Sequence, residues 1–63
     1  KLLQLTELIC RKLQKNKSPE TIAEELEEDI DTIQYICAIA KDFAPDYDVA
    51  KIVEQYKKSL LNV

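Results

Sequence analysis

The chain has 63 residues, a net charge of −3 and a hydrophobic fraction of 46%, with two Pro and neither Gly nor His. A folded chain this short buries only about 60% of the surface its unfolded form exposes, so its core is small and a disulfide, a metal or a partner chain is the usual supplement. Phosphate-cradling loops and nucleophile elbows draw on Gly, and His is the commonest general base and metal ligand near neutral pH. Carboxylates and two thiols are the remaining candidate chemistry, so no catalytic, cofactor-binding or metal-binding residue is assigned, and the segment is not read as an enzyme.

The first predicted helix covers about residues 2 to 16, where Leu2, Leu5, Leu8, Ile9 and Leu13 recur at three- and four-residue steps. Arg11, Lys12, Lys15 and Lys17 gather at its C-terminal end, where cations complement the helix dipole. Ser18 followed by Pro19 signals a second helix: Ser accepts bonds from the first free amides, and Pro fits the first helical position. Ile22, Ala23 and Leu26 give it an apolar face, and it ends near Glu27 or Glu28.

A third helix, capped by Asp29 or Asp31, carries Ile30, Ile33, Ile36, Cys37, Ala40, Phe43 and Ala44 on one helical period until Pro45 stops it. Asp46 to Asp48 form a capped turn, and Val49, Ile52, Val53, Tyr56 and Leu60 mark a fourth helix. The fold class is therefore all-α, a small four-helix domain containing a helix-turn-helix-like unit. Its expected buried set is Leu5, Ile9, Leu13, Ile22, Leu26, Ile33, Ile36, Cys37, Ala40, Ile52, Val53 and Tyr56. Cys10 and Cys37 have apolar neighbours and no C-x-x-C pairing, which makes them small core fillers.

The helix-turn-helix spacing lies in Ile22 to Ile33: an Ile-Ala pair, Leu26 three residues after Ala23, and Thr32-Ile33 six and seven residues after Leu26. Glu27 stands where such motifs usually carry a turn Gly, so a wider turn is expected. Residues 1 to 17 carry +4, residues 18 to 31 carry −7 and the remainder is neutral, together the −3 of the chain. Seven carboxylates with no base between Ser18 and Asp31 oppose a recognition helix entering DNA by that end. A solvated acidic helix face accounts for the run without a metal or an acid pair.

The residues L-I-C-R-K-L-Q-K-N-K-S-P-E-T-I-A-E-E-L-E-E-D-I-D-T-I, with A-K-D-F-A-P-D-Y-D-V further on, resemble the C-terminal tail of PD-(D/E)XK nuclease family transposases. These are the recombination-promoting nuclease (Rpn)-like proteins of gut Firmicutes. The resemblance covers about residues 3 to 52 and none of the nuclease motif. It implies a small helical tail behind a catalytic domain, acting in oligomerisation or in restraint of the nuclease. With Lys1 first and no Met in the chain, residues 1 to 63 are expected to be one helical domain cut from the C-terminus of a longer bacterial protein.

The functional expectation is a non-catalytic oligomerisation or regulatory tail, the alternative being a DNA-binding helix-turn-helix domain. The expected partner is a second copy, as a homo-oligomer and most simply a dimer, or the upstream nuclease domain; nucleic acid and membrane are not expected. The candidate interface is Leu2, Leu3, Leu8, Tyr35, Ile39, Phe43 and Leu61, apolar residues beyond what four short helices bury among themselves. With no signal peptide and no apolar run of membrane-spanning length, the expected compartment is the cytoplasm.

Overall fold

The computed structural model describes residues 1–61. They form four α-helices, α1 (Leu2–Gln14), α2 (Pro19–Leu26), α3 (Ile30–Ala40) and α4 (Val49–Leu61), with a 3-10 turn at Lys41–Phe43. There is no strand among the described residues. α3, the most apolar helix, is central: it packs on α1, α2 and α4, while α1 also lies along α4.

Three caps set the starts of the later helices. The Thr21 amide donates to Ser18 Oγ, the Thr32 amide to Asp29 Oδ2 and the Lys51 amide to Asp48 Oδ1, each at 3.2 Å. Asp29, rather than Asp31, therefore caps α3. Ala44, held extended before Pro45 at ψ 151°, ends the third helical segment as expected. The α-helix itself stops earlier, at Ala40, and the last turn tightens to 3-10 geometry through Phe43.

The ends of α1 and α2 differ from the sequence expectation. α1 stops at Gln14, because Asn16 turns left-handed at φ 63°, with its amide on the Leu13 carbonyl and the Lys17 amide on the Lys12 carbonyl. Glu27 does the same at φ 56°, its amide donating to Glu24 and that of Glu28 to Ala23. Both are complete Schellman closures, normally a Gly position. The turn after α2 is thus not widened by the missing Gly; Glu27 adopts the Gly conformation, and only Glu27, Glu28 and Asp29 separate the two helices.

Ile9, Ile22, Ile33, Ile36, Ala40 and Ile52 are fully buried, with Cys10, Ala23 and Cys37 nearly so. Leu5, Leu13, Leu26, Val53 and Tyr56, expected inside, are only half-buried. α1, α2 and α4 each pack against α3, and the side chains closed on every side are those that converge there. Thr6 is also buried, and its hydroxyl donates to the Leu2 carbonyl at 2.8 Å, satisfied within its own helix.

Candidate functional site

The two thiols lie in the core as free cysteines, both buried. Burial pushes both thiols above their ordinary range, and the nearby Cys10 acts on Cys37 in the same direction. A thiol raised in this way holds little thiolate at neutral pH and behaves as packing. Among the described residues no group of three or more His, Cys, Asp or Glu is placed to hold a metal ion. No helix among them is long and apolar enough to cross a membrane.

The acidic run is divided by its partners. Glu25 receives Lys12 at 2.7 Å and Lys17 at 2.8 Å, and these two cations hold its carboxyl down at about 2. Glu20, Glu24, Glu27, Glu28, Asp29 and Asp31 are exposed and make no ion pair among the described residues. The α2–α3 corner therefore presents carboxylates, while two of the lysines at the end of α1 are already engaged.

The candidate interface residues separate into two groups. Leu3, Leu8, Tyr35 and Leu61 are exposed, at 53%, 41%, 40% and 84%. Leu2, Ile39 and Phe43 are instead half-buried against the core, because each side chain reaches back onto the central cluster. They rim the interior and do not form a free patch. Tyr35 meets Tyr56 edge to face, with ring centres 5.4 Å apart and planes at 64°, which stitches α3 to α4 at the surface.

Leu60, 53% exposed, is an apolar surface residue that sequence reasoning placed on the core-facing stripe. It follows Tyr56 by four residues on that stripe, but there α4 has run past the helices that would cover it. Its place in the final turn is the signal that marks it.

Two open depressions mark the surface. One, of about 360 Å³, is lined by Gln4, Glu7, Leu8 and Arg11 on the outward side of α1. The other, of about 230 Å³, lies between the end of α1 and the α3–α4 connection, lined by Leu13, Gln14, Asn16, Ala44, Pro45 and Tyr47. Neither gathers the polar groups of a catalytic constellation. Compared with family models, curated proteins and solved structures, the chain matches none.

Proposed function

We propose that this domain is a non-catalytic association tail of a larger PD-(D/E)XK nuclease-like protein in the bacterial cytoplasm, joining copies as a dimer and restraining the nuclease. The supporting observation is that Leu3, Leu8, Tyr35, Leu60 and Leu61 stay exposed on a domain with a core of few side chains. A partner chain is the remaining source of apolar burial once both thiols are free. Two-fold pairing is the commonest closed arrangement and would bring the upstream domains together.

Sedimentation velocity of the chain from about 1 to about 100 µM tests association, a range that spans micromolar dissociation constants. A species that grows with concentration toward twice the monomer mass is expected, and a strict monomer throughout overturns the proposal. Adding the chain in trans to the full-length nuclease should lower its DNA cleavage.

The three-residue turn between α2 and α3 favours a second reading, a DNA-binding helix-turn-helix. The exposed carboxylates of Asp29 and Asp31 at the start of α3 weigh against it, since a DNA reader approaches phosphates with cations there. Titration against mixed duplexes at two salt concentrations separates the readings: tight, steeply salt-dependent binding would establish the second.

A further inference from the structure

We draw no further inference here: the strongest candidate, the open depression on the outward face of α1 with Leu8 exposed at its edge, is an unpartnered surface, and nothing in the structure shows what covers it.

Discussion

The Lys12 ammonium lies 2.7 Å from Oε1 of Glu25, tying the basic end of α1 to the acidic run of α2. Lys17 reaches the other oxygen at 2.8 Å, so one carboxylate spans a pair of cations on either side of the first turn. Among the described residues, Glu25 is the one member of the run whose charge is answered by an ion pair.

Glu25 therefore confers acid sensitivity. Its carboxyl is depressed from 4.5 to about 2 in the folded state, so the stability it contributes is complete above about pH 4.5 and is lost as pH falls through about 2. The melting temperatures of wild type and Glu25→Gln should differ at pH 7 and converge toward pH 2. The site is open to solvent, so the difference should be small and shrink further in 1 M salt. A difference that grows on acidification would contradict the assignment.

Glu27 adopts φ 56° with a side chain that disfavours it. Glu27→Gly should raise stability by about 0.5 to 1 kcal/mol, the relief of a left-handed non-Gly residue less the added freedom of the unfolded chain. Asn16→Gly should gain less, because Asn already tolerates that region. Urea unfolding of the two variants, compared by midpoint at unchanged slope, measures this ranking.

Core truncations should follow burial. Ile22→Ala and Ile36→Ala, both at fully buried sites, should cost about 2 to 5 kcal/mol. Leu26→Ala should fall at or below the lower end of that range, because Leu26 is half-buried against the cluster. Leu61→Ala, at an exposed end, should stay within about 0.5 kcal/mol in dilute solution. Equal losses at Ile22 and Leu61 in denaturant titrations would refute this picture of the core.

The thiols should be protected by structure. Cys10 and Cys37 are buried and pushed up by that burial, so labelling by a thiol reagent at pH 7 should be slow and should accelerate steeply with urea as the helices open. Immediate labelling of either Cys in native buffer would place it at the surface.

The four helices and their starts were legible in the sequence because those signals are local. Ser18-Pro19, Asp29 and Asp48 cap their own following turn, Pro45 constrains Ala44, and the period of Ile30, Ile33, Ile36 and Cys37 depends on nothing outside α3. Cys10 and Cys37 were placed inside for the same reason, by the face they share with Ile9 and Ile36. Tertiary structure alone decided the rest. Whether Leu60 is covered depends on where the neighbouring helices stop, and whether Leu2, Ile39 and Phe43 face solvent depends on how closely α3 is approached. The left-handed closure at Glu27 is a choice of the whole fold, since packing Ile22 and Ala23 on α3 requires a tight turn whatever residue stands there. The pairing of Lys12 with Glu25 joins two helices across thirteen residues of chain, and no periodicity within either helix specifies which of seven carboxylates the lysine will meet.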